Sequence, residues 1–308
     1  MAGGIDLFPG FRDETVEIDG LRLHLRIGGS GPPVLLLHGY PQTHVMWHRL
    51  AGPLARGHTL VIPDLPGYGD SDAPAGGPPH EAYSKRRIAA AMVRLMGRLG
   101  FPRFAVVGHD RGGRVGYRLA IDHARHVARL AVLDILPTLD YWLRFDRVFG
   151  LRIYHWTFLA QPAPLPERMI GADPVAYLDH TVASWTRDKT LSAFDPAALD
   201  AYRAAFARPA AIHGACEDYR AGATVDVEHD REARDHGRLI TCPVLALWGT
   251  AGLPADGEAP LEVWRRWALD VSGHGVDSGH FLAEENPEAT LAALSPFLAA
   301  YALEERFA

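Results

Sequence analysis

Gly108-His109-Asp110-Arg111-Gly112 is the stretch on which the reading of the whole chain turns. It follows an apolar run, Phe104 to Val107, and precedes Gly113, Arg114 and Val115, which open a helix-like segment. Glycines on both sides of a central residue permit a strand-to-helix turn too tight for a Cβ, leaving the central side chain exposed above the sheet. Here that side chain is a carboxylate, not Ser or Cys, and the substitution decides the reaction class. A carboxylate attacking an acyl carbon would give an anhydride, a poor intermediate. Attack on a saturated carbon bearing a leaving group gives an alkyl ester, stable enough to form and labile enough to hydrolyse. An aspartate of ordinary pKa, about 4, is ionised at neutral pH and needs no base for that step. The expected chemistry is therefore dehalogenation or epoxide opening.

Composition sets the bounds. A chain of 308 residues suits one large α/β domain, or a core with a smaller inserted one, and 48% hydrophobic residues suffice for a buried core. A net charge of −6 with no basic stripe excludes a nucleic-acid partner. Cys216 and Cys242 are too far apart for a metal or redox motif, and such sparse use suits a reducing compartment. Met1 to Phe11 lacks the pattern of a signal peptide, and no apolar run approaches the roughly 18 residues of a membrane span. A soluble cytoplasmic enzyme is the expectation.

Along the chain, Thr15 to Ile27 alternates polar and apolar residues around Asp19-Gly20, which predicts a hairpin. Short strands are expected at Val34–Leu37, Thr59–Pro63, Phe104–Val107, Leu130–Leu133 and Val244–Trp248, and a last one around Trp267–Val271. The spacing of Ile88, Met92, Leu95, Met96 and Leu99 predicts a helix over Tyr83–Leu99, and Val115–His123 reads as another. Strands alternating with helices imply a mainly parallel sheet. From about Pro137 to Ile240 aromatics crowd in, helical stretches follow, and strand patterns disappear. We expect residues 1–136 and 241–308 to form the core and residues 137–240 a helical cap over the sheet's C-terminal edge, where open α/β sheets place their sites. Glu228 to Arg238, rich in both charge signs, reads as solvated.

With these elements in place, the elbow resembles that of α/β-hydrolases, and the resemblance implies an α/β-hydrolase fold. In that arrangement the backbone N–H of Tyr40, in the His38-Gly39-Tyr40-Pro41 stretch, pairs with the N–H of Arg111 as an oxyanion hole; His38 itself reads as structural. An ester intermediate needs a general base. Among sixteen histidines, His280 in Asp277-Ser278-Gly279-His280-Phe281 stands after the last strand, where α/β-hydrolases keep their triad histidine, and His274 is the nearby decoy. The acid orienting it is assigned to Asp134, at the end of Val132-Leu133-Asp134, with Asp256 in reserve.

More narrowly, the chain resembles the fluoroacetate (haloacetate) dehalogenases. The carrying stretches are His38 to Trp47, Gly108 to Arg114, Val132 to Pro137, Ile153-Tyr-His-Trp156, Phe158 to Pro166, Cys216-Glu-Asp-Tyr-Arg220 and Ser278-Gly-His-Phe281. The resemblance implies that Arg111 and Arg114 bind a substrate carboxylate. Guanidinium forks at a helix start suit that anion. It further implies halide binding by His155, Trp156 and Tyr219, no metal or organic cofactor, and a homodimer. Tyr141 and Trp185 are placed along the access channel. Two rivals stand beside this reading. An epoxide hydrolase would share the Asp-His-Asp triad and use tyrosines such as Tyr154 and Tyr219. A non-catalytic ligand-binding protein on the same fold would use none of it.

Overall fold

The computed structural model describes residues 6–255 and 257–307, with side chains as far as Tyr301. The alternating N-terminal stretch forms β1 (Arg12–Ile18) and β2 (Leu21–Gly29), paired antiparallel. Asp19 and Gly20 both take positive φ, 53° and 80°, the backbone a two-residue hairpin turn requires. The remaining strands are β3 (Pro33–Leu37), β4 (Thr59–Pro63), β5 (Phe104–His109), β6 (Val127–Leu133), β7 (Val244–Gly249) and β8 (Val271–Val276). They form one sheet in the order β1-β2-β4-β3-β5-β6-β7-β8. β2 meets β4 antiparallel, and every pairing beyond is parallel.

Helices α1 (His48–Ala55), α2 (Lys85–Arg98) and α3 (Asp110–Asp122) connect the first parallel strands. Coverage on both faces explains why Val34 to Leu37 and Phe104 to Val107 are continuous buried apolar runs rather than alternating ones. Strand order reverses between β3 and β5, since the chain leaves β3 for β4 on one side and returns to β5 on the other. Such a reversal opens a crevice at the C-terminal ends of the two strands. Both the His38-Gly39-Tyr40 loop and the Asp110 turn emerge there.

Between β6 and β7 the described residues are helical: α4 (Thr138–Leu143), α5 (Arg147–Arg152), α6 (Tyr154–Leu159), α7 (Leu165–Ala172), α8 (Pro174–Trp185), α9 (Pro196–Phe206), α10 (Pro209–Ala223) and α11 (Val225–Asp235). Local sequence starts them cleanly. Asp173 and Asp195 cap α8 and α9, each followed by proline at the first helical position. The chain ends in α12 (Pro260–Arg265), α13 (Leu282–Glu285) and α14 (Pro287–Phe307). No helix among the described residues is long and apolar enough to cross a membrane.

Two local expectations need correcting. The last strand starts where Trp267–Val271 was expected to end. Trp267 instead follows α12 and donates its indole N–H to Asp140 (2.8 Å), as Trp264 within that helix donates to the Ile135 carbonyl (3.2 Å). β8 itself, Val-Ser-Gly-His-Gly-Val, is an edge strand paired only with β7, so it needs no apolar period. The segment Glu228–Arg238 is not wholly solvated. Asp230 within it is buried, ion-paired to Arg118 and accepting the Tyr117 hydroxyl at 2.8 Å.

Candidate active site

Sterics make the elbow. A Cβ on Gly108 would lie 2.5 Å from the Gly112 carbonyl oxygen, and one on Gly112 would lie 2.3 Å from that of Leu37. Only glycine fits at either place. The turn holds Asp110 at φ 46°, a left-handed conformation costing a non-glycine residue roughly 1 kcal/mol or more. Helix α3 begins at Asp110 itself rather than at Val115, so the carboxylate stands at a helix N-terminus. The Tyr40 amide donates to its Oδ1 at 2.8 Å, and close approach of the two loops requires Gly39, where a Cβ would come 2.4 Å from that of Asp110. Burial alone would raise the Asp110 pKa. The charges of His280, Arg111 and Arg114 outweigh it and hold the carboxyl well below the usual range.

Asp134 follows β6, also in the left-handed region at φ 53°. Its Oδ2 accepts from His280 Nδ1 at 2.6 Å and its Oδ1 from the Gly249 amide at 2.9 Å. The loop after β8 fixes His280 further: its amide donates to the Trp185 carbonyl (2.9 Å), and its own carbonyl accepts from His109 Nε2 (2.8 Å). With Nδ1 engaged, His280 Nε2 is the end of the ring without a hydrogen-bond partner in the protein. Burial pulls the His280 pKa down. The hydrogen bond and charge of Asp134, with the charge of Asp110, lift it above that of free histidine. His109 goes the other way, pushed down to about 3 by burial and the His280 charge, and stays neutral. Asp256, the reserve acid, lies outside the described residues. His274 sits exposed on β8.

A cavity of about 340 Å³ opens above these groups. Its wall includes Asp110, Arg114, Asp134 and His280 from the sheet side and Tyr141, His155, Trp156 and Trp185 from the helices between β6 and β7. Tyr141 and Trp185, expected along the access channel, are thus on the wall, with Arg152, His180 and Lys189 also lining it. Arg111 and Tyr219 are not on that wall. Arg114 donates to the Leu136 carbonyl and to Thr138 Oγ1, both at 3.1 Å, and its guanidinium lies 4.8 Å and 4.6 Å from the ring centroids of Tyr141 and Trp156. Arg111 packs its guanidinium 3.4 Å from the Tyr219 ring centroid and 5.1 Å from that of Trp156. Tyr219 meets His155, Trp156 and Tyr40 edge-on, and Trp156 stacks on Tyr141. His155 is buried, its Nδ1 without a protein partner, and burial with the nearby Arg111 charge drives its pKa well below that of free histidine, so the ring is neutral.

Other groups escaped the sequence reading. His109 under His280, Thr138 under Arg114 and Asp218 beside Arg111 carry no motif of their own, although Asp218 stands next to Tyr219 in a stretch that was singled out. His38 is structural: its Nε2 accepts from the Leu65 amide at 2.9 Å. Among the described residues, His24, His44 and Asp64 bring possible metal ligands within 4.8 Å of one another. Their atoms are taken up by one another. Both Nδ1 atoms lie 2.9 Å from Asp64, whose carboxylate also accepts the amides of His44 and Asp70, and His24 Nε2 faces Asp13 at 3.0 Å. That trio ties the loop after β4 to the hairpin.

An aspartate elbow, a late histidine and an acid between them, set on a parallel sheet under helices, define a hydrolase. Residues 32–287 match the family model of the α/β-hydrolase fold, and the chain belongs to that family. It is 44% identical over 292 residues to a fluoroacetate dehalogenase from a Burkholderia species, covering 95% of both chains. A soluble epoxide hydrolase from Corynebacterium sp. (strain C12) is 31% identical, over 92% of this chain and 95% of that one. The solved structure of ALR0039 from Nostoc sp PCC 7120 superposes with a TM-score of 0.92 at 49% identity, covering 94% of this chain and 99% of that one.

Proposed function

We propose that this enzyme hydrolyses short 2-haloacids, fluoroacetate foremost, to the 2-hydroxyacid and halide. Asp110 attacks the carbon bearing halogen in line, forming the C–O bond of an ester as the carbon–halogen bond breaks and halide leaves with the electron pair. His280, oriented by Asp134, then takes a proton from water as its oxygen attacks the Asp110 ester carbonyl. The amides of Tyr40 and Arg111 hold the oxyanion; collapse breaks the bond to the glycolate oxygen, which takes the proton from His280, and the second proton of the water is lost to solvent as the Asp110 carboxylate is restored. Arg114 and Arg111 bind the substrate carboxylate. His155, Trp156 and Tyr219 donate to the departing halide, which matters most for fluoride because the C–F bond is strong. Neither metal nor organic cofactor enters the cycle.

The observation that carries this reading is a buried cation, Arg114, on the same cavity wall as Asp110 and His280. A neutral substrate gives it nothing to bind. An epoxide would instead call for tyrosine hydroxyls converging above Asp110. Of the two offered, Tyr154 lines the cavity but is 43% exposed, and the Tyr219 ring is packed against the Arg111 guanidinium, which weighs against that rival. The kinship with the Burkholderia fluoroacetate dehalogenase supports the same substrate class.

The reading extends to organisation: a core of residues 1–136 and 241–308, a cap of 137–240, and a homodimer working in the cytoplasm. Two free cysteines support a reducing compartment. Leu143, Val148 and Met169, large apolar residues left exposed on the helices between β6 and β7, support association with a second copy. Halide release from fluoroacetate and chloroacetate, assayed beside hydrolysis of a terminal epoxide, tests the substrate class. Fluoride release without epoxide turnover is expected, and epoxide turnover without halide release would overturn the reading. Sedimentation analysis checks the dimer.

A further inference from the structure

Arg111 is 1% exposed, yet none of its guanidinium nitrogens is in hydrogen-bond geometry with another group of the protein. The Tyr219 ring lies over the guanidinium, 3.4 Å from its central carbon to the ring centroid, but a cation–ring contact lacks the directionality of a hydrogen bond. Something else must set the direction of the fork. Helix α10 supplies two features one turn apart, on the same side as residues i and i+4. At Gly222 the helix is bare, and a Cβ there would come 2.9 Å from Arg111 Nη1. At Asp218, Oδ2 lies 3.4 Å from Arg111 Nε, the one ion pair of Arg111 among the described residues.

Asp218 is itself immobilised. It is 2% exposed, its Oδ1 is ion-paired with the Lys85 ammonium at the start of α2, and its Oδ2 accepts the Tyr68 hydroxyl at 2.9 Å. Lys85 is shared with Asp226, whose Oδ1 accepts the Lys85 amide at 2.7 Å and whose Oδ2 lies 3.2 Å from Nζ. A buried row of alternating charge therefore runs Asp226, Lys85, Asp218, Arg111, joining the inserted helices to α2 of the sheet layer and ending beside the elbow. A buried charge stripped of its partner is strongly disfavoured, and Asp218 is the member of the row that pairs with both cations, Lys85 and Arg111.

We propose that Asp218 is the positioning residue for Arg111, fixing the rotation of its guanidinium over the Tyr219 ring and so the direction from which a substrate carboxylate is received. This rests on the reading of Arg111 as a carboxylate-binding group. A purely structural role, compensating Lys85, is the competing account, and Asp226 separates the two: it is equally buried, touches the same lysine and has no contact with Arg111.

The test compares Asp218→Asn with Asp226→Asn. Positioning predicts that Asp218→Asn raises KM for chloroacetate by about tenfold or more, changes kcat by less than about threefold and leaves kcat/KM for neutral 2-chloroacetamide as in the wild type. Asp226→Asn lowers the melting temperature to a similar degree but leaves KM for chloroacetate unchanged. Equal KM changes in both variants, or none in Asp218→Asn, would overturn the proposal. Where Asp218→Asn does not fold, Asp218→Glu keeps the charge Lys85 needs while displacing it from Arg111, and the same KM rise at unchanged melting temperature is expected. Calorimetric binding of glycolate by the same variants keeps the two claims apart. Wild-type enzyme that turns over no haloacid, yet loses glycolate affinity on Asp218→Asn, sinks the proposed reaction and leaves the positioning role standing. Unchanged glycolate affinity in an active enzyme sinks the positioning role alone.

Discussion

On the sheet side of the cavity the candidate catalytic groups are bound to one another and to backbone. Asp110 accepts the Tyr40 amide, Asp134 accepts His280 and the Gly249 amide, and the His280 backbone is held at both its N–H and its carbonyl. On the side of the inserted helices the groups are held by ring packing, and donors such as His155 Nδ1 have no acceptor within the protein. Directional bonds fix a nucleophile and base to the accuracy in-line attack and water activation demand. Packing fixes a donor's place while leaving its hydrogen free for an anion that forms only as the reaction proceeds. The two walls should therefore fail differently: damage to the first abolishes a step, and damage to the second grades the leaving groups.

The largest effect is expected at Asp110, the proposed nucleophile. Asp110→Asn should cost on the order of 10⁴-fold or more in kcat on every haloacid, with glycolate binding kept, as read by halide release and calorimetry. On the opposite wall, His155→Ala should lower kcat on fluoroacetate by about 10²-fold, the scale for one lost donor to a developing anion. Chloroacetate should lose at least about tenfold less, since chloride leaves more readily. Equal losses on the two substrates would erase the distinction between the walls. Tyr219→Phe should follow the same pattern at about tenfold.

The smallest effect is in pH. The lifted pKa of His280 puts more of the ring in its protonated form, which cannot act as a base. In the ester state Asp110 no longer carries its charge and the lift comes from Asp134, so turnover limited by ester hydrolysis should fall as pH drops through the His280 pKa and be flat above it. A limb below 6.5 would mean that burial, not Asp134, dominates the ring.

Legibility in the sequence divides along the same line. Gly108, Asp110 and Gly112 are readable because a tight turn forbids Cβ atoms at fixed places, and Asp134 and His280 because strand ends and chain order limit the candidates. The hairpin at Asp19-Gly20 follows from its turn chemistry. What escapes is long-range. Asp218 and Lys85, or Asp230 and Arg118, meet only once the helices between β6 and β7 close over the sheet, and a charge-rich segment such as Glu228–Arg238 looks the same whether one of its acids is buried or none is. That Arg111 sits off the cavity wall while Arg114 is on it cannot be read from two arginines three positions apart on one helix. β8 escapes because an edge strand carries little apolar signal, while the tryptophans before it do.

The most direct test of the account is a single-turnover experiment on His280→Ala with fluoroacetate, reading fluoride and the intact mass of the protein together. Asp110 acting as nucleophile, with His280 needed only for hydrolysis, predicts one fluoride per active site and then arrest, with the protein heavier by a carboxymethyl group on the peptide containing Asp110. Continued turnover, or fluoride release with no adduct on that peptide, would contradict it.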